Sequence, residues 1–385
     1  MKNYTRTIMA VLVLVLISIS CQKEEQQFAI DQTPDKNYVN KDKTLNADAI
    51  AQTVVDYLSH PSNRKATLAL LEENRQGKAL EDILNKNSIQ PGTENLHRIV
   101  QCSRQLNNTA KEHGVIEIPE LWLHKPSSKI NASEILVAFP PEGNEDKWEQ
   151  IKAYTLNKEI VYLDPHKAPD RPVVVIETHG REALKLKVKL MNKHLQKLGA
   201  QKIDHSRTKK RTGLETTKLE RIQLNDDKEP WIKGAAEIFA VTSGIRDQQD
   251  HKEPQISIIA MPYLDYENEN YTPNQVMLFW DDYDYQAANI QFFEEDSNYN
   301  YKELVSILTN GVFQIAGLYT SQPWVSVLGE MASKIIEAMP DEWYTDNDDY
   351  VDSFYTIMKD KSYENYKGAA NNAEVTFSPF VIPEN

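Results

Sequence analysis

Apolar residues along the chain fall into blocks with different periods, and the blocks predict different elements. An almost unbroken apolar run occupies residues 8–19 behind Lys2 and Arg6. It is signal-peptide length and too short to span a bilayer as a helix. Residues 22–44 are mostly Gln, Asp, Lys, Asn and Thr. They carry too little apolar surface to order themselves and read as a flexible tether. From residue 45 to 113 the spacing becomes three-to-four. Ile50, Val54, Tyr57 and Leu58 share one face, followed by Leu70 and Leu71 and then by Leu80, Ile83 and Leu84. A last helix over 93–112 is closed by Gly114.

The middle of the chain shortens into strands, expected at 115–118, 134–139, 160–163 and 173–177. Over 184–190, Leu184, Leu186, Val188 and Leu190 alternate with Lys185, Lys187 and Lys189. That period of two predicts a half-buried strand with a solvated basic face. A composition shift at Asn225-Asp226-Asp227-Lys228-Glu229-Pro230 marks a boundary. Beyond it, strands are expected at 235–243, 255–263, 275–280 and 287–293, where Ile290 and Phe292 alternate with Asn289 and Gln291. Two apolar helices follow at 301–319 and 325–339, split by Pro323, and the chain returns to strand at 350–358 and 373–382. Gly311, Gly317, Gly329, Gln314 and Glu330 within those helices argue for packing inside the fold rather than for membrane insertion. No internal repeat or low-complexity segment interrupts the pattern.

The fold class expected from these blocks is α+β, with a helical N-terminal region, a mixed α/β middle and a C-terminal antiparallel β-sandwich carrying a helical insertion. The corresponding segments are a signal peptide at 1–20, a tether at 21–44, an α/β domain at 45–224 and a β-sandwich-like domain at 225–385.

Composition narrows the setting. Hydrophobic residues make up 40% and charged residues 26% of 385, ordinary for a globular protein, but the net charge is -14. The first twenty residues hold two bases and no acid, so their removal leaves the rest more acidic still. Such a surface repels nucleic acid, and the basic run Lys209-Lys210-Arg211 lacks interleaved aromatics, so no nucleic-acid partner is expected. Of the two cysteines, Cys102 shares a helix face with Leu96, Ile99 and Leu106 and reads as a buried thiol.

The apolar run ends Ile17-Ser18-Ile19-Ser20-Cys21, which resembles a lipobox. The resemblance implies cleavage before Cys21, lipid on that cysteine and attachment to a membrane. Ile19 is bulkier than the Gly or Ala usual at its position. Gln22 is not the Asp of inner-membrane retention, and Lys23-Glu24-Glu25 resembles the surface-export tag of Bacteroidota lipoproteins. The expected location is therefore the outer membrane, lipid-anchored and exposed at the cell surface.

Several catalytic signatures are missing: a zincin helix, a G-x-S-x-G elbow, G-x-x-x-x-G-K, G-x-G-x-x-G and C-x-x-C. A non-catalytic role is expected. The strongest chemical signal is acidic. Asp281, Asp282 and Asp284 follow one expected strand, Glu294, Glu295 and Asp296 follow the next, and Asp346, Asp348, Asp349 and Asp352 open the strand at 350. Ca²⁺ takes six to eight hard oxygens, so three loops converging at one end of a sandwich would suit it. The expected function is a surface module that binds Ca²⁺ or an extracellular ligand. An alternative set, Asp164, His166, Glu177 and His179, lies after two middle strands and would suit Zn²⁺ and a surface hydrolase.

Two resemblances attach to these residues. Ala236-Glu237-Ile238-Phe239-Ala240-Val241 together with Asp348-Asp349-Tyr350-Val351-Asp352 resembles a C2-type calcium-binding sandwich, from which the helical insertion departs. The stretch from Trp231 to Ser243, Met261-Pro262-Tyr263-Leu264-Asp265, and Asp349 to Tyr355 resemble an uncharacterised family of exported bacterial proteins, domain of unknown function 3103. That resemblance covers most of residues 50–385 and implies export without implying an activity.

Overall fold

The computed structural model describes residues 35–383 except 87–90, 127–130, 144, 200–212, 228, 249–250, 296–299, 317–322 and 340–349. Cys21 and the Lys209-Lys210-Arg211 run therefore lie outside the described residues. Those described belong to one compact unit, and no helix among them is long and apolar enough to cross a membrane.

The first half of the unit sets helices against a mixed sheet. Helices α1 (Ala47–Ser59), α2 (Pro61–Glu72), α3 (Leu80–Lys86) and α4 (Thr93–His113) precede most of it. The strands are β1 (Lys78–Ala79), β2 (Glu120–His124), β3 (Leu136–Ala138), β4 (Ile151–Thr155), β5 (Ile160–Leu163) and β6 (Val173–Glu177), in the order β1-β2-β6-β3-β4-β5. Among the described residues of this sheet, only β3 and β6 run parallel. Alternation decides which side chain goes where. Val174 and Ile176 of β6 join Ile50, Val54, Ile99 and Leu106 beneath the helices, whereas Val173 and Val175 join Trp148 and Ile232 on the other face. Cys102 is 2% exposed in the helical layer, and burial raises its thiol pKa.

The second half is three layers deep. Strands β7 (Leu214–Leu224), β10 (Gln275–Phe279), β13 (Tyr363–Lys367) and β14 (Ala373–Ile382) form one antiparallel sheet in the order β10-β7-β14-β13. Strands β8 (Ile238–Gln248), β9 (His251–Ala260), β11 (Ala287–Glu294) and β12 (Tyr350–Met358) form another, ordered β12-β11-β8-β9. The sheets meet over Ile222, Phe292, Phe354, Val375 and Phe377. The outer face of the second sheet is covered by α5 (Arg181–Lys197), α6 (Tyr301–Ala316) and α7 (Trp324–Ala338), through Phe239, Val241 and Phe293. With both faces covered, all eight residues of β11 are buried.

Four expectations are corrected. Residues 184–190 are helical, not a strand. The longer window carries a 3.6-residue period in Leu184, Val188, Met191 and Leu195, which outweighs a short run of alternation. Lys187 is therefore not on a solvated face: it is 1% exposed, and its Nζ lies 2.6 Å from Glu295 Oε1. Second, residues 114–119 are coil and the strand starts at Glu120. Third, a cut between 224 and 225 would separate β7 from its partners β10 and β14. Fourth, the tether ends before residue 44. Tyr38 is buried against the helical layer, its hydroxyl 3.3 Å from Thr53 Oγ1, and Val39 bridges to Leu45.

The polar face of β11 also differs from a solvated one. Asn289 donates to Leu328 O at 2.9 Å and Gln291 to Ala332 O at 3.2 Å, so both side chains hold α7. At the edge strand β9, Asn192 of α5 donates to Ile258 O and accepts from Ile258 N, closing a backbone pair that the sheet leaves open.

Lys187 and Lys189 are two residues apart and differ wholly in burial. Lys187→Ala strands the Glu295 carboxylate in the interior and is expected to cost about 3–5 kcal/mol. Lys189→Ala is expected to stay within about 0.5 kcal/mol of wild type. Urea unfolding of the two variants checks this, and equal costs would contradict the buried pair.

Candidate functional site

Charged side chains collect at the seam between the six-stranded sheet and the sandwich. Each comes from the end of an element. Glu120 opens β2 and stands across from Glu177, the last residue of β6. Glu117 precedes β2 and His179 follows β6. The turn leading into β8 supplies Glu229, Lys233 and Glu237, the end of β11 supplies Glu294 and Glu295, and a 3₁₀ turn at Glu145–Lys147 supplies Glu145. Strand ends are where side chains leave a sheet without giving up ladder bonds, so several of them can meet in one place.

The deepest part is a group of carboxylates. Oxygens from Glu229, Glu237 and Glu294 all lie within 4.8 Å of one another. Glu237 is 7% exposed and Glu294 2%. Neither oxygen of Glu229 accepts a hydrogen bond in the described geometry, although its side chain is 1% exposed. The neighbouring cation is Lys233, 7% exposed, whose ammonium bonds Glu145 and lies 3.8 Å from Glu229 Oε2. Burial pushes the Glu229 carboxyl well above the usual range, with Glu237 and Glu145 adding to the rise and Lys233 opposing it. Glu237 is raised in the same way, by burial first and then by Glu177 and Glu294.

A second chain of charges runs beside it. Lys187 Nζ donates to His179 Nδ1 at 3.5 Å, and His179 Nε2 lies 3.5 Å from Glu117 Oε1. Glu117 Oε2 accepts the Leu45 N–H at 2.6 Å, tying the N-terminal arm to the site. An ammonium can only donate, so His179 Nδ1 is the acceptor and the ring proton belongs on Nε2, facing Glu117. Glu177 Oε1 accepts the amides of Thr178 and His179. A polar cavity of about 610 Å³ opens over these groups, with Glu117, Glu177, His179 and Lys233 in its wall and Asn40, Asp42 and Thr44 of the arm at its side.

Among the described residues, the acids expected to bind Ca²⁺ together do not meet. Asp281, Asp282 and Asp284 precede β11 and Glu294 ends it, so an eight-residue strand, roughly 24 Å long, separates them. Asp352 is fully buried, and its carboxylate accepts four backbone amides: Ser353 and Ala370 at Oδ1, Asn372 and Ala373 at Oδ2. It organises the β13–β14 connection and leaves no lone pair for an ion. A Cβ on Gly368 would fall 2.1 Å from that carboxyl carbon. Asp296, Asp346, Asp348 and Asp349 lie outside the described residues.

The alternative set is split too. Glu177 and His179 line the cavity, but Asp164 and His166 follow β5, with β3 and β4 between, about 14 Å away in strand spacings. Both are exposed, and Asp164 Oδ1 accepts His166 N at 2.8 Å, a turn bond.

Glu117, Glu120, Glu145, Lys187, Glu229, Lys233 and Glu237 escape a reading of motifs. One signal was present: Glu237 sits in the apolar run Ala235-Ala236-Glu237-Ile238-Phe239-Ala240-Val241, where an acid is costly without a purpose.

The chain belongs to the family described as protein of unknown function DUF3103, whose model matches residues 49–385. The match takes in every residue of the seam. No curated protein matches the chain, and neither does any solved structure.

Burial raises the Glu120 carboxyl from its ordinary 4.5 to about 7. The folded chain thus binds this proton more tightly than the unfolded one. The resulting stability is complete below about pH 4.5 and is lost as pH climbs through about 7, a loss of about 3 kcal/mol. Glu120→Gln keeps an acceptor for the Glu182 N–H now bound at 2.8 Å by Oε1. It is expected to flatten that slope in urea unfolding at pH 5 and pH 8, and an unchanged slope would move the titration elsewhere.

Proposed function

We propose that this protein is an envelope lipoprotein whose folded part binds a hard divalent cation, Ca²⁺, between Glu229, Glu237 and Glu294. One observation carries the reading: three buried carboxylates, two from the turn before β8 and one from the end of β11, converge with their oxygens within 4.8 Å. Two oxygens on opposite sides of Ca²⁺ at its usual bond length stand about 4.8 Å apart, so the group spans no more than one ion's coordination sphere. The donors are all oxygen, which favours Ca²⁺ or Mg²⁺ over a softer metal. Unlike a surface patch of acids, this group is removed from water, where uncompensated charge is expensive.

The ion's work is structural in this reading. It joins the turn before β8 to the end of β11 and neutralises the acids, allowing the seam to close without protons. Isothermal titration of the purified mature chain with CaCl₂ is expected to give saturable heat, and the melting temperature is expected to rise. Affinity is expected to grow from pH 6 to pH 8, because the ligating carboxyls must give up protons. At a hundredfold excess over Kd the gain is about 2.7 kcal/mol. Glu237→Gln is expected to abolish binding. No heat and no shift at pH 8 would remove the proposal.

The address is proposed on the segment ending at Cys21. Growth with a clickable palmitate analogue is expected to label the wild-type chain and not Cys21→Ser, with the variant released from the membrane fraction. Equal labelling of both would end the lipoprotein reading.

A further inference from the structure

Lys233 occupies an unusual position. Its ammonium is buried against Glu145 and lies 3.8 Å from Glu229 Oε2, while its charge also bears on Glu237. Its side chain forms part of the wall of the 610 Å³ cavity. It therefore touches both the carboxylate group and the space that leads to water. Glu229, 1% exposed and accepting no hydrogen bond from the described residues, is the acid that Lys233 leaves least satisfied.

We propose that Lys233 is the resident counter-cation of this site and its gate: ammonium and divalent ion compete for the same carboxylates, and the cavity is the way in. The inference rests on the cation reading above and adds how that site is regulated. A lysine is suited to the part. Its charge is compact and sits on a four-carbon stem with freely rotating bonds, so the head can withdraw while the stem stays packed. An arginine fork held in two places would not let go as readily. When the ion enters, two like charges cannot share a dry pocket of this size, and the ammonium turns outward into the cavity beside Glu177 and Glu117. When the ion leaves, the ammonium returns to its place between Glu145 and Glu229.

Two measurements test this. In the first, Lys233→Met keeps the stem and removes the charge, and Ca²⁺ titration is expected to show binding at least about tenfold tighter than wild type. In the second, wild-type protein is treated briefly with an acetylating reagent, and Lys233 acetylation is quantified by mass spectrometry with and without CaCl₂. Lys233 is expected to become several-fold more reactive with Ca²⁺, while Lys187, paired with Glu295, stays protected in both conditions. The wild-type labelling stands alone if the variant does not fold. Wild type that binds Ca²⁺ with Lys233 reactivity unchanged or reduced overturns the gate and leaves the cation site standing. Lys233→Met binding Ca²⁺ no more tightly than wild type overturns it also. Wild type with no Ca²⁺ binding at all overturns both.

Discussion

Desolvation of charge at the seam is the constraint around which the molecule is arranged. Apolar contacts cross between the parts, Ala110 and Ile116 joining the core under α5–α7 and Ile232 joining Val173 and Val175, and the charges add a second, more directional constraint. What lies between the parts besides these contacts is a set of acids and lysines that are largely buried. A buried ion costs several kcal/mol unless its partner is well placed, so each charge fixes a geometric relation. Lys187 on α5 must find Glu295 at the end of β11, and Lys233 must find Glu145 across from the six-stranded sheet. These pairs add little net stability over apolar replacements of the same shape. They make one docking geometry better than its neighbours, because any slip leaves a charge dry and unpaired.

The same constraint explains which parts of the structure were readable in the sequence. Elements whose signal is local came through with their bounds nearly intact: β5, β6, β11, β12, β14 and the helices at 301 and 324 follow from alternation or a three-to-four spacing within a dozen residues. The Leu–Lys run at 184–190 failed because a period of two over seven residues also fits a helix whose long face continues to Leu195. Its lysines looked interchangeable, and only a partner a hundred residues away distinguishes Lys187 from Lys185 and Lys189. Strand β7 was passed over because its eleven residues are rich in charge. They pair between two strands, one of which is the last in the chain, so nothing local announces the strand.

The acids show the same division. Sequence reasoning collected carboxylates that are dense along the chain, and density along a chain selects turns. Asp281, Asp282 and Asp284 are such a turn, and Asp352 is a structural acceptor for the backbone of another. The group at the seam is sparse along the chain, with Glu237 eight positions after Glu229 and Glu294 over fifty further on, and its members are dense only in space. Glu294 belonged to both collections, since it ends a strand in sequence and reaches the group in space. What marks Glu237 is the cost of its position, an acid within a run that is otherwise fully apolar.

Two kinds of chemistry could use such a seam, and the tautomer at His179 separates them. A histidine that ligates a metal through Nε2 turns its other ring nitrogen, as N–H, toward an acceptor. Here Nδ1 faces the ammonium of Lys187, a group with protons and no lone pair, so Nδ1 must accept and Nε2 must carry the hydrogen. That hydrogen points at Glu117, whose other oxygen is already taken by Leu45 N–H. The imidazole is thereby held as a donor and taken out of the metal's donor set. Glu177, with one oxygen on two amides, is held in place as well. The seam then divides into a hydrogen-bonded wall, built by Glu117, Glu177 and His179, and a pool of buried carboxylates beside Lys233. The proposed all-oxygen site falls in that pool, with His179 outside it as a donor toward Glu117.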